Sequence, residues 1–131
     1  MAKRKIMIVD DEKDFLDIVK LNLEHTGRYK VKTLSSSTGI IDKVKDFKPD
    51  LIIMDLLMPV LGGIEACLLL RKDPVARRVP VIVLSALEKE EDRKKADSVG
   101  AIDYIVKPIN VSNLLERIDS AIKRKKRKNN Q

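Results

Sequence analysis

Polar residues able to do chemistry stand where the apolar runs of this chain stop. Asp10-Asp11 follow Ile6-Met7-Ile8-Val9, and Asp55 follows Leu51-Ile52-Ile53-Met54. Ser85 follows Val81-Ile82-Val83-Leu84, and Lys107-Pro108 follow Tyr104-Ile105-Val106. Three carboxylates gathered on one rim repel one another and need a countercharge. All-oxygen ligands of that charge suit a hard divalent cation such as Mg²⁺, which keeps waters and shares phosphate oxygens. A carboxylate can also attack a phosphoryl group and form an acyl phosphate. The cation and Lys107 would then neutralise the equatorial oxygens as charge spreads, with a hydrogen bond from Ser85. The expected chemistry is therefore phosphoryl transfer to a carboxylate, assisted by Mg²⁺.

Other chemistries lack their residues. No G-x-x-x-x-G-K-[ST] loop is present, and Asp10-Asp11 stands where a G-x-G-x-x-G turn would follow the first strand. A Ser85 nucleophile would need a histidine base, and the sole histidine, His25, lies near the end of a helix. One cysteine, Cys67, and one histidine exclude a disulfide framework and a Cys/His zinc site. Taken singly, Asp10-Asp11 suits a helix start, Asp55 a turn and Lys107 a solvated charge. Their joint placement at separate strand ends is what points to a site.

The elements that position these residues alternate. The three continuous apolar runs read as strands buried on both faces, the mark of a parallel sheet covered by helices. Tyr29 to Leu34 alternates like a half-exposed edge strand, and Tyr104 to Val106 is the fifth and shortest strand. Leu16, Val19 and Leu23, widened by Phe15 and Ile18, predict a first helix closed by Gly27. Ile40, Val44 and Phe47 predict a second, stopping at Pro49; Ile64, Cys67 and Leu68 predict a third, ending near Asp73-Pro74. The fourth, about Lys89 to Val99, has only Ala96 and Val99 as apolar members and should hold weakly. Leu114, Ile118 and Ile122 predict the last, with Asn110 as its N-cap. Five strands and five helices in alternation give a doubly wound α/β sandwich, whose ligands sit at the carboxyl ends of the strands.

The 131 residues suffice for one domain, and 44% apolar residues make a real core. The formal net charge of +7 is terminal in origin. Lys123-Arg124-Lys125-Lys126-Arg127-Lys128 and Lys3-Arg4-Lys5 hold nine of the 27 positive charges, so the stretch between them carries slightly more acid than base. The tail can bind phosphate backbones, but without interleaved aromatics it reads as a solvated helix end or linker stub. Nucleic acid is not expected on the folded domain. The expected domain is 4–122, with 123–131 a basic tail. No secretory signal or membrane span is evident, since Leu51 to Leu70 is broken by Asp55, Pro59, Gly62, Gly63 and Glu65. The expected location is the reducing cytosol.

These motifs resemble the response-regulator receiver domain of two-component signalling, of the chemotaxis-type single-receiver kind. The resemblance covers about Arg4 to Ile122 and rests on I-M-I-V-D-D-E from Ile6, D-L-L-M-P-V-L-G-G from Asp55, V-L-S-A around Ser85 and D-Y-I-V-K-P ending at Pro108. It implies a flavodoxin-like (βα)5 sandwich with strand order 2-1-3-4-5. It also implies Asp55 as the acceptor of a phosphoryl group from a kinase phosphohistidine. Mg²⁺ would be held by Asp11, by Asp10 mostly through water, by Asp55 and by the Leu57 carbonyl. Lys107, aimed by a cis bond to Pro108, and the Ala86 backbone would meet the phosphoryl group. Ser85 and Tyr104 would be the switch pair. The implied output is a changed surface on the fourth helix, fifth strand and fifth helix, a surface through which receivers often pair.

Phosphorylation would be autocatalytic, with self-dephosphorylation but no enzymatic turnover. Leu57 and Leu87 stand where receivers often carry polar groups, which predicts slow loss of the phosphoryl group, and Gly62 stands where the family frequently has an acid. Two other functions compete. A haloacid-dehalogenase-like phosphohydrolase would need a second Asp at position 57, which is Leu. A non-phosphorylated interaction module, or a nucleic-acid binder, would act through the tail.

Overall fold

The computed structural model describes residues 2–129, with side chains described through Arg124. Five strands, β1 (Arg4–Val9), β2 (Tyr29–Leu34), β3 (Leu51–Met54), β4 (Val81–Ser85) and β5 (Asp103–Val106), alternate with five α-helices. These are α1 (Lys13–His25), α2 (Ile40–Phe47), α3 (Gly63–Lys72), α4 (Glu90–Ser98) and α5 (Val111–Asn129). A 3-10 turn at Ala76–Arg78, unforeseen from the sequence, joins α3 to β4. The strands form one parallel sheet in the order β2-β1-β3-β4-β5. That is the flavodoxin-like order. Chain direction across the sheet reverses between β1 and β3, which places a crevice beside their carboxyl ends.

Alternate residues of each central strand serve opposite faces, as the two-residue period of a strand requires. Ile6, Ile8, Ile53, Ile82 and Leu84 pack under α1 and α5, against Leu16, Val19, Leu23, Leu114 and Ile118. Met7, Val9, Ile52 and Met54 pack under α2 and α3, against Ile40, Val44, Ala66, Cys67 and Leu70. A small third cluster of Leu56, Val83 and Ala96 holds α4. Ala96 is the single buried residue within α4, so little apolar area anchors that helix.

Caps and turns follow the local sequence. Asn110 Oδ1 accepts the Asn113 N–H at 2.8 Å and caps α5. The Thr26 hydroxyl donates to the Leu23 carbonyl at 2.7 Å and ends α1 ahead of Gly27. Lys48, before Pro49, takes a left-handed φ of 56° and stops α2, because a residue preceding proline disfavours the right-handed helix.

Two apolar assignments need correction. Ile18 is exposed on α1, and Leu68 is exposed on α3. The α3 stripe is Ala66, Cys67 and Leu70. The run Ala66-Cys67-Leu68-Leu69-Leu70 is apolar on every side, so periodicity alone left its buried face open. Burial pushes the Cys67 thiol pKa up to about 11, leaving it protonated and inert. The basic tail expected at 123–131 lies, from residue 125 onward in its side chains, outside the described residues.

Candidate functional site

Asp10 follows directly on β1 and Asp55 on β3, two neighbouring strands at the reversal point. Their backbones are fixed by the sheet: the Asp10 N–H donates to the Leu34 carbonyl and the Asp55 N–H to the Val9 carbonyl, both at 3.0 Å. Asp10 and Asp55 are buried, whereas Asp11 is exposed. One carboxylate oxygen from each lies within 4.8 Å of the others, a spacing that a single small cation can bridge. All three donors are hard oxygens, which fits Mg²⁺ and argues against a soft metal.

Lys107 enters from the end of β5. Its ammonium donates to Asp10 Oδ2 at 2.6 Å and to Glu12 Oε1 at 3.2 Å, and it lies 3.6 Å from Asp55 Oδ2. The ring of Phe15 backs it at 4.5 Å from ammonium to centroid. The peptide bond to Pro108 is cis, as the resemblance implies. Ser85, fully buried at the end of β4, accepts the Leu87 N–H at 3.2 Å. The Leu87 carbonyl in turn accepts the Tyr104 hydroxyl at 2.7 Å. The Leu87 peptide therefore bridges the two expected switch residues, and Tyr104 points inward, with the Arg93 guanidinium 5.0 Å from its ring centroid. Ala86 follows Ser85 in the same loop.

Burial raises the pKa of the Asp55 carboxyl above its ordinary value. The Leu57 N–H, which donates to Asp55 Oδ1 at 3.2 Å, and the Lys107 ammonium pull it back, while Asp10 pushes it further up. For Lys107, burial works against the charge, but the hydrogen bond and field of Asp10, with Asp55 and Glu12, more than offset it and raise its pKa.

Sequence reasoning missed the parts that support this arrangement. Glu12 and Phe15 both contact Lys107, though periodicity assigned Phe15 only to the core. Ser37, fully buried, donates to the Leu61 carbonyl at 2.5 Å and ties down the loop after Asp55. In that loop Val60 takes a φ of 70° and is almost wholly exposed. A left-handed conformation costs a β-branched residue about 1–2 kcal/mol. At the start of α3, a Cβ on Gly63 would collide with the Asp55 carbonyl oxygen and sit 2.7 Å from Leu56 Cα.

Loss of the Lys107 cation tests the electrostatics directly. In chelator, Lys107→Ala should lose about 2 kcal/mol of stability, because it leaves the buried Asp10 carboxylate unpaired. Added Mg²⁺ should recover most of that loss. Chemical denaturation with and without metal reads both effects, and equal losses in the two conditions would contradict them.

Fold and site together define a doubly wound α/β domain whose carboxylates converge at a strand-order reversal. A family profile described as the response regulator receiver domain matches residues 6–119. The chain belongs to that family, the receiver domains of two-component systems. It is 34% identical over 122 residues to the phosphate regulon transcriptional regulatory protein PhoB of Rhizobium meliloti, covering 93% of this chain and 53% of that protein. The chain thus spans about half the length of the curated relatives it matches. A CheY-like receiver domain protein from Methanospirillum hungatei superposes with a TM-score of 0.89 at 26% identity, covering 97% of this chain and 99% of that one. The receiver domain of sensor histidine kinase PA1611 from Pseudomonas aeruginosa has a TM-score of 0.83 at 28% identity, covering 92% of this chain and 98% of that one. Its structure has a magnesium ion coordinated in the active site cleft. Receiver domains are phosphoacceptors, and the haloacid-dehalogenase alternative finds no support here. None of the described helices is long and apolar enough to cross a membrane.

Proposed function

We propose that this receiver accepts a phosphoryl group on Asp55 from the phosphohistidine of a sensor kinase or phosphotransfer protein in the cytosol. The observation that carries this reading is the Asp10–Asp11–Asp55 cluster, its ligand atoms within 4.8 Å of one another, facing Lys107 at 3.6 Å from Asp55. An Asp55 carboxylate oxygen attacks phosphorus, the O–P bond forms, and the P–N bond to the histidine breaks with its electrons returning to the imidazole. Lys107 holds a positive charge where the transferring oxygens gather negative charge. The Ala86 N–H and the Ser85 hydroxyl donate to those oxygens.

Asp10, Asp11, Asp55 and the Leu57 carbonyl would hold Mg²⁺. Bound there, Mg²⁺ supplies positive charge that offsets repulsion between the carboxylates and the incoming phosphoryl group. The test is intact-mass measurement after incubation with a small phosphodonor, with Mg²⁺ and with chelator. Adduct should form only with the metal; equal yield in both would overturn the reading.

Phosphorylation acts as a switch through Ser85. A phosphoryl oxygen that accepts the Ser85 hydrogen bond fixes the hydroxyl, and the Leu87 peptide transmits that position to Tyr104. The phosphoryl group thereby favours the inward Tyr104 arrangement and the matching surface of α4, β5 and α5. That surface would serve the downstream effector or a second copy of the chain. The domain is a phosphoacceptor that loses its own phosphoryl group and turns over no other substrate. The proposed unit is 4–122, with the basic stretch 123–131, into which α5 continues, as a tail or linker stub.

Leu57, half exposed beside the acceptor, and Leu87 offer no polar side chain to orient an attacking water. The aspartyl phosphate should decay several-fold more slowly than in a Leu57→Asn, Leu87→Glu double variant. Equal decay, followed by mass or phosphate release, would refute this.

A further inference from the structure

A second concavity lies at the opposite end of the sheet from the carboxylate cluster. Its volume is about 420 Å³, within the range of small-molecule sites. It opens where β4 begins, so its wall includes Val81 while Ser85 marks the other end of the same strand. Leu70, Val79 and Val99 give it an apolar floor. Its rim is cationic: Arg71 from α3, Arg77 and Arg78 from the 3-10 turn, and Arg124 from α5 all line it.

None of these four guanidinium groups has a carboxylate within 4.0 Å among the described residues. The acid nearest in sequence to Arg71, Arg77 and Arg78, Asp73, is already committed, and Asp119, nearest to Arg124, is hydrogen-bonded to Arg28 and Tyr29. Asp73 accepts the Val75 and Ala76 N–H groups at 3.0 and 2.8 Å and pairs with Lys45 at 3.1 Å. Arg71 is positioned by packing instead. Gly100, at a φ of +90°, leaves room for it, and a Cβ there would lie only 2.9 Å from the Arg71 Cδ and Cζ atoms. Four cations that have no carboxylate partner among the described residues, set around an apolar hollow, repel one another, and an anion that enters relieves the repulsion. Planar guanidinium groups match phosphate oxygens two at a time and also stack on aromatic rings.

We propose that this arginine-rimmed cavity binds an organic phosphate of nucleotide size, its phosphate on the guanidinium rim and its flat apolar body on the floor. The cavity shares no residue with the carboxylate cluster, so binding here does not displace a phosphoryl group at Asp55. Calorimetric titration of the full chain in EDTA, which keeps metal–phosphate complexes out of the acidic site, tests it. The probes are adenosine monophosphate, adenosine and inorganic phosphate. Adenosine monophosphate should bind, inorganic phosphate at least about tenfold more weakly, and adenosine without measurable heat.

Arg71→Ala combined with Arg78→Ala should weaken adenosine monophosphate binding by about tenfold or more. Arg77→Glu should weaken it in the same direction, and the two variants remove charge at different exposed positions, so both failing to fold is not expected. Lys125→Ala with Lys126→Ala should leave binding unchanged, separating the cavity from general attraction to the basic tail. No binding of adenosine monophosphate at millimolar concentration would overturn the proposal. So would affinity that survives the arginine variants, or an equal loss in the lysine variant.

Discussion

With Asp55 replaced by asparagine, incubation with a small phosphodonor and Mg²⁺ should yield at least about 100-fold less adduct than wild type by intact-mass measurement. The amide has no carboxylate oxygen to attack phosphorus. The neighbouring acids are poor substitutes. Asp10 already gives Oδ2 to Lys107 and Oδ1 to the Glu12 N–H, and Asp11 lies exposed at the rim. The variant should nevertheless fold at least as well as wild type in chelator. Burial and the field of Asp10 both work against a charge at position 55, and a neutral isostere removes that penalty. Lost adduct with unchanged or raised thermal stability would therefore isolate the chemistry from the fold. Undiminished adduct in the variant would remove Asp55 from its assigned role.

Gly63→Ala should cost about 3 kcal/mol in denaturant unfolding, a large penalty for one methyl group. The added carbon would meet the Asp55 carbonyl oxygen and sit 2.9 Å from the Asp55 carbonyl carbon. Both partners are backbone, and the Gly63 N–H donates to the Leu56 carbonyl at 3.0 Å, so neither side of the contact can give cheaply. Relief requires α3 to move away from the end of β3, carrying Asp55, the proposed acceptor, with it. Phosphorylation of the folded fraction should fall by roughly 100-fold, the scale expected when a reacting group shifts by about an ångström. Gly62→Ala is the control. Its Cβ would chiefly meet the movable end of the Glu65 side chain, 2.7 Å from Oε2, so the loss should be much smaller. Similar losses at the two positions would refute the close-approach argument.

The elements were legible because each is written locally. β2 and β3 match their expected spans, and Asn110 caps α5 as its position before the last apolar stripe suggests. The acidic cluster was legible for a related reason. Parallel strands in a doubly wound sheet all end on one side, so residues just after Val9, Met54, Leu84 and Val106 are neighbours in space whatever their separation in sequence.

What stayed hidden depended on contacts between elements. Ile18 satisfies the helical period yet faces outward, and the apolar belt of α3 fits more than one buried face. Glu12 and Phe15 join Lys107 only because the end of β5 comes down beside the start of α1. Sequence alone determined the strand–helix alternation and the polar groups at four strand ends, because backbone periodicity and chain direction fix both. Tertiary structure alone decided the 3.6 Å between Lys107 and Asp55, the Leu87 peptide linking Ser85 to Tyr104, and the arginine-rimmed cavity. Those distances arise where separate crossovers pack together, and no local pattern records the angle at which they meet.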